Sequence, residues 1–237
     1  MKVLGVECSA VAASAAIWED DVLLGEFFTN VKMTHSQTLM PMVQQLFAST
    51  GVTPRQLDCL AVSAGPGSFT GVRIGVSAVK GLGLALQKPC VGVSALAALA
   101  HQLRGMEQTV ICPVMDARCN QFYNALFQWK HDKLVRLCDD RAVEAMELKK
   151  ELKSLNFSVI LVGDGAQLCY NMLKEDGLSL SLAPPLTRFP RAGSVAQLGA
   201  ALAKTGFTVD AKSLQPIYLR LPQAERELKK KVSDQTC

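Results

Sequence analysis

The sequence predicts an α/β protein assembled from two halves of one design, strand-strand-strand-helix-strand-helix. Three observations predict it. Strand-length apolar runs and helix-length segments follow one another in the same order twice, with no residue-level repeat between the halves. Residues 60–87 read as a short apolar strand, a Gly-Pro-Gly turn and a long helix rich in small residues. The 237 residues are 49% hydrophobic and 19% charged, enough for one large or two small domains with a substantial core.

In the first half, residues 2–9, 13–18 and 23–31 read as successive strands joined by short turns, and 36–50 as a helix that Thr34 or Ser36 would cap. Pro41 fits the first turns of that helix. A strand at 59–63 and the helix from Phe69 to Gln87 follow. A further strand, 90–94, leads into Ala95-Leu-Ala-Ala-Leu99, which has no polar side chain. In the second half, 110–116, 122–129 and 134–137 read as strands, 142–155 as a helix, 159–162 as a strand and 166–174 as a helix. The boundary between halves falls at 104–108, around Gly105. The expected domains are therefore 1–104, 105–223 and a charged tail, 224–237, whose lysine run at 229–231 reads as a solvated face.

Composition narrows the function classes. The net charge of +4 is too mild for a dedicated nucleic-acid groove. Glu7 interrupts the apolar start of the chain, so no signal peptide is expected, and no run reaches the roughly 20 apolar residues of a membrane span. The eight cysteines form no Cys-x-x-Cys pair and read as small core residues of a reducing cytoplasm. The three histidines, 35, 101 and 131, lie far apart, with no metal-ligand spacing.

The turn at 63–75 is neither a P-loop nor a dinucleotide fingerprint: there is no Gly-Lys pair in the chain, and Thr70 occupies the third glycine position. The free amides at its helix start suit an anion or a partner's polar groups. Two further loops follow the first strand of each half, Glu7-Cys-Ser9 and Asp116-Ala-Arg-Cys-Asn120. Loops that cradle phosphates use glycine so that backbone amides approach closely, and neither loop contains one. Gly163-Asp164-Gly165 follows a strand and precedes a helix, as a plain strand-to-helix turn does. His35 and Ser36 have no carboxylate at a spacing that suggests a hydrolase triad. In the long helix, Gly71, Gly75, Ala78, Gly81, Gly83 and Ala85 imply that another backbone approaches, from the protein's own sheet or from a partner.

The doubled unit resembles the actin-like ATPase superfamily, of ribonuclease H-like fold, which holds a nucleotide between its halves. More specific blocks are His35-Ser-Gln-Thr-Leu-Met-Pro-Met42, Ala64-Gly-Pro-Gly-Ser-Phe-Thr-Gly-Val-Arg-Ile-Gly75 with Lys80-Gly-Leu82, and Gly92-Val-Ser-Ala-Leu96 continuing to Ala100. Met115-Asp-Ala-Arg118 and Pro216-Ile-Tyr-Leu-Arg220 with Ala224-Glu225 complete them. On these the chain resembles the TsaB (YeaZ) family of tRNA threonylcarbamoyladenosine biosynthesis. The catalytic paralogue of that family, TsaD, carries a metal-binding His-x-x-x-His segment where this chain has Ser94, Ala95, Leu96, Ala97, Ala98 and Leu99, and alanine and leucine cannot ligate a cation.

The resemblance implies a non-catalytic, cytoplasmic subunit with no metal or cofactor of its own. It implies pairing with a TsaD-like paralogue and a TsaE-like ATPase, indirect contact with tRNA, no membrane, and ATP only in the assembled complex. It implies a partner interface on the two helices of the first half, and a homodimer through the same face when the chain is isolated. That surface is expected to hold His35, Leu39, Met42, Val43 and Leu46 from the first helix, and Gly71, Arg73, Ile74, Gly75, Ala78 and Gly81 from the second. Glu7, Ser9, Asp116, Gly163, Asp164 and Gly165 are expected to line a vestigial nucleotide cleft. Glu7-Cys8 and Cys119 depart from the family pattern in that cleft. The alternatives are a metal-dependent TsaD-like transferase or protease, and a small-molecule kinase.

Overall fold

Strands β1 (Lys2–Glu7), β2 (Ala13–Glu19) and β3 (Val22–Thr29) form an antiparallel meander, extended by β4 (Cys59–Gly65) and β5 (Cys90–Ser94), which run parallel to β1. The resulting five-stranded sheet has the order β3-β2-β1-β4-β5. The computed structural model describes residues 1–155, 157–174 and 177–220; the expected charged tail and the Ala224-Glu225 motif lie outside them. β1 and β4 are apolar at nearly every position because both faces of this sheet are covered. On one face lie α1 (His35–Thr50) and α2 (Phe69–Leu86), whose apolar stripes close a core around Leu4, Ile17, Leu57, Leu60 and Val62. Edge strand β3 has its first three residues, Val22, Leu23 and Leu24, exposed.

α3 (Ala95–His101) leaves β5 and leads into the second half. There β6 (Thr109–Asp116) is flanked by β7 (Gln121–Asn124) and by β11 (Ser158–Val162), giving the order β10-β7-β6-β11-β12 with β10 (Arg141–Glu144) and β12 (Leu180–Leu182) at the edges. The expected strand 122–129 is broken at Ala125 and Leu126. Beyond the break, β8 (Phe127–Lys130) meets β6 only at Ile111 and forms a hairpin with β9 (Lys133–Arg136). Asn124 holds the break by donating its side-chain amide to the carbonyls of Pro113 and Ala125. The start of the expected helix 142–155 is strand β10, with α4 (Ala145–Ser154) following directly. α5 (Ala166–Leu173) and α4 cover one face of this sheet, and α3 packs on the other with Phe127 and Trp129.

The sequence reading missed α6 (Ala192–Lys204), and α6 corrects the domain boundaries. Val195, Ala196 and Ala200 pack against Val3, Cys59, Ala61 and Val91, so α6 is the second cover of the first sheet although it follows the second half in sequence. Its start is held by β2 and β3: Ala192 donates its amide to Ser14 Oγ, Gly193 to Glu26 Oε1, and Arg191 pairs with Glu26 at 2.7 Å. The chain then stays with the first half. Val209 bridges to Cys90, and Ala211 and Leu214 join the core beneath α2. The second body is thus formed by about residues 109–190, inserted between α3 and α6.

Candidate functional site

A cleft of about 940 Å³ opens between the halves, lined by the turn after β1, the Gly-Pro turn before α2, the end of β6 with its following turn, Asp164, and residues 217–220. It brings together Ser9, Asp116 and Asp164 of the expected nucleotide set. Glu7 lies behind it, with no exposed surface.

The first loop is closed on itself. The Ser9 amide donates back to Glu7 Oε1, while the Ser9 carbonyl accepts the Ser68 amide at 2.7 Å. Gly67 packs so near that carbonyl that a Cβ would overlap it. Burial pushes the Glu7 carboxyl up, opposed by hydrogen-bonding groups of Ser9, Ser63 and Cys8; its Oε2 and the hydroxyls of Ser9 and Ser63 nevertheless complete no hydrogen bond of good geometry. Burial, and then Glu7, push the Cys8 thiol up as well, so it is no nucleophile. The second loop is occupied too. Ala117 donates its amide to Gln121 and Arg118 to Asp116 Oδ1, and Arg118, Cys119 and Asn120 all have positive φ in this tight turn. Asp164 has a buried oxygen without a partner, and burial followed by the charge of Asp116 pushes its carboxyl up to about 6. Gly163 and Gly165 pack against the Val114 carbonyl, which accepts the Gly165 amide at 3.1 Å.

The face expected to meet a partner is corrected in part. Leu39, Met42, Val43 and Leu46 point into the core of the first half and are at most 8% exposed, because the apolar stripe of α1 is what seats the helix on its sheet. Gly71 and Gly75 are also internal. A Cβ at Gly71 would overlap the Cys8 carbonyl, and one at Gly75 would touch Cys8 and Val62 at 3.4 Å. Gly81 is exposed and faces open space, and Arg73 is exposed, its guanidinium 4.5 Å from the centre of the Phe69 ring. Ile74, Ala78 and His35 are half-buried, with His35 Nε2 donating to the Ala10 carbonyl at 2.7 Å. That bond ties α1 to the first loop, and Ser36 is exposed, so no triad forms. The sequence reading missed Met40 and Leu84, which are 44% and 51% exposed on the outer faces of these helices. Their signal was present: each lies off the apolar stripe that seats its helix.

α2 is also, among the described residues, the one helix long and apolar enough to cross a membrane by length and composition, with 18 residues that include Arg73 and Lys80. Val72, Val76 and Val79 are at most 4% exposed in the core of the first half, and Lys80 donates to the carbonyls of Lys212 and Leu214, as suits a helix seated on a sheet.

α3 begins at Ser94, whose hydroxyl accepts the Ala97 amide and donates to Asp140 of the other half. Ala95, Leu96, Ala98, Leu99 and Ala100 are fully buried. The helix has one residue of ligating type, His101; it stands edge-on to Trp129 at 5.5 Å, its pKa pushed down by burial and then by Arg104. No group of three or more His, Cys, Asp or Glu able to hold a metal occurs among the described residues.

Comparison with known proteins agrees with this architecture. A family model described as TsaD: tRNA N6-adenosine threonylcarbamoyltransferase matches residues 25–228. The tRNA threonylcarbamoyladenosine biosynthesis protein TsaB of Bacillus subtilis (strain 168) is 32% identical over 226 residues, covering 95% of this chain and 96% of its own. The protein of the same name from Escherichia coli (strain K12) is 31% identical, covering 96% and 98%. The solved structure of YeaZ from Pseudomonas aeruginosa superposes with a TM-score of 0.78 at 26% identity, covering 92% of this chain and 99% of that one. The doubled architecture expected from the sequence is present, with the cleft between its halves where a vestigial nucleotide site was expected. The residues present do not fit a polyphosphate: the Ser9, Ala117 and Arg118 amides are already engaged, and two carboxylates, Asp116 and Asp164, face the space.

Proposed function

The chain belongs to the TsaB family of tRNA threonylcarbamoyladenosine biosynthesis proteins, and from that premise we propose that it is the non-catalytic subunit that supports a TsaD-like transferase. The observation that carries this reading is the helix after β5, where Ala95 to Ala100 are apolar and built into the core. Alanine and leucine side chains have no electron pair to give a metal. The engaged amides of the cleft support a subunit with no nucleotide of its own, ATP entering only with the assembled complex.

In this reading the outer faces of α1 and α2, with Met40, Arg73, Gly81 and Leu84, meet the equivalent helices of the paralogue. The exposed glycine lets a partner backbone come close, and the apolar side chains supply the area. A TsaE-like ATPase joins the pair, tRNA is held by the partners, and the assembly works in the cytoplasm. Without its paralogue the chain pairs with a second copy through the same face, burying about 1,600 Å² in total.

The test separates this reading from an independent enzyme. The purified chain is assayed for bound iron and zinc, and for modification of tRNA when supplied alone with threonylcarbamoyl-adenylate. Metal well below one equivalent and no modified adenosine are expected. One tightly bound metal per chain, or turnover by the chain alone, would overturn the proposal.

A further inference from the structure

The Pro216-Ile-Tyr-Leu-Arg220 segment has no part in the reading above, yet it joins the two halves. Its approach is fixed along α2 by Lys80, which donates to Lys212 O at 2.9 Å and Leu214 O at 3.1 Å. Ile217 then donates its amide to the Ala64 carbonyl at 2.7 Å, at the start of the Gly-Pro turn. Its own carbonyl lies where a Cβ of Gly65 would be, and Gly65 has φ +117°. The Tyr218 ring lies 5.0 Å from that of Phe69, which on its other contact carries Arg73. Arg220 then crosses to the second half, where its guanidinium donates to the carbonyl of Ala117 and, at 3.4 Å, to that of Arg118.

We propose that residues 216–220 are a built-in clamp that fixes the opening of the cleft from within the chain. Two features of the geometry support it. The guanidinium lands on the carbonyls of the turn after β6, which lines the cleft on the side opposite the Gly-Pro turn that Ile217 holds. And a second side-chain tie crosses between the halves independently: Ser94 donates to Asp140, whose other oxygen takes Arg136. Two separate ties between the halves resist a change in the angle between them. The angle between the halves, and with it the setting of Phe69 and Arg73 at the start of α2, is then a property of the chain alone.

Hydrogen exchange followed by mass spectrometry on the full chain tests this, with wild type, Arg220→Ala and Arg220→Lys compared with and without magnesium-ATP. The clamp predicts that Arg220→Ala speeds exchange by about tenfold or more in both segments that flank the cleft, 64–71 and 115–121, while β1 and β11 keep their protection. Magnesium-ATP should leave both segments unchanged in wild type. If Arg220→Ala raises exchange throughout the chain, Arg220→Lys decides, and faster exchange confined to the two segments upholds the clamp. The proposal is overturned if only 217–220 loosens, if neither segment changes, or if magnesium-ATP slows both segments in wild type.

Discussion

Gly71, in the first turn of α2, lies under the Cys8 carbonyl with no room for a Cβ. This is where the helix and the first loop are pressed together, and it separates the glycines of α2 into two kinds. Gly71 and Gly75 serve the protein's own packing, whereas Gly81 meets nothing within 4 Å.

Gly71→Ala should therefore lower stability by about 1–3 kcal/mol through overpacking against backbone that cannot move aside. Gly75→Ala should be tolerated, since its Cβ would sit at ordinary contact distance, while Gly75→Leu should not. Gly81→Leu should leave the melting temperature unchanged or raise it slightly, by the helix propensity it gains of about 0.5–1 kcal/mol. The proposed partner face adds that Gly81→Leu weakens binding to the paralogue by about tenfold or more, measured by titration calorimetry. Unchanged binding by this variant would place the interface elsewhere.

Leu46, on the buried stripe of α1, has no exposed surface. Leu46→Ala should cost about 2–5 kcal/mol in chemical denaturation, the range for emptying a core site. A loss under about 0.5 kcal/mol would mean that the side chain faces outward.

The Arg191–Glu26 pair holds the start of α6 to β3, with the Arg191 guanidinium also 4.9 Å from the centre of the Phe28 ring. Glu26 is nearly buried in this pair, its side chain 6% exposed. Arg191→Ala should cost about 2–3 kcal/mol, because it strands that carboxylate with only the Gly193 amide. Exchange protection should fall first in α6; a loss confined to the second body would contradict the packing described.

Asp164 sets a pH dependence. Its carboxyl is raised to about 6 in the folded chain, by burial first and Asp116 second, against an ordinary value of 3.8. The folded state therefore binds the proton more tightly than the unfolded state. Below pH 4 this group costs nothing, between about pH 4 and 6 its ionisation costs stability progressively, and above pH 6 the cost is constant. Asp164→Asn should thus stabilise the protein at pH 7.5, on the order of 1–2 kcal/mol, and by much less at pH 4. An equal effect at both pH values would show that Asp164 does not titrate in this window.

Most of the first half was legible because its strands and helices carry clean periods, and because the Gly-Pro turn marks where strand gives way to helix. The stripe of α1 was read correctly as apolar but assigned to the wrong neighbour: Leu39, Met42, Val43 and Leu46 repeat at helical spacing whether the helix packs on its own sheet or on another chain. Only the sheet beneath them decides. α6 was missed because 192–204 is rich in alanine and glycine, a weak apolar signal whose role rests on a close approach to β1 and β4. The break between β7 and β8 depends on Asn124 bonding to residues nearly a strand away, which local pattern cannot show. The cleft loops were recognised by what they lack, glycine, but the engagement of their amides needed coordinates.

The most direct measurement is an omission experiment. Threonylcarbamoyladenosine formation on tRNA is followed in a mixture of the TsaD-like paralogue, the TsaE-like ATPase and threonylcarbamoyl-adenylate, with this chain present or left out. A supporting subunit predicts little product without the chain and a rate that rises with it until one chain per paralogue is reached. The same rate with and without the chain would contradict the role proposed for it.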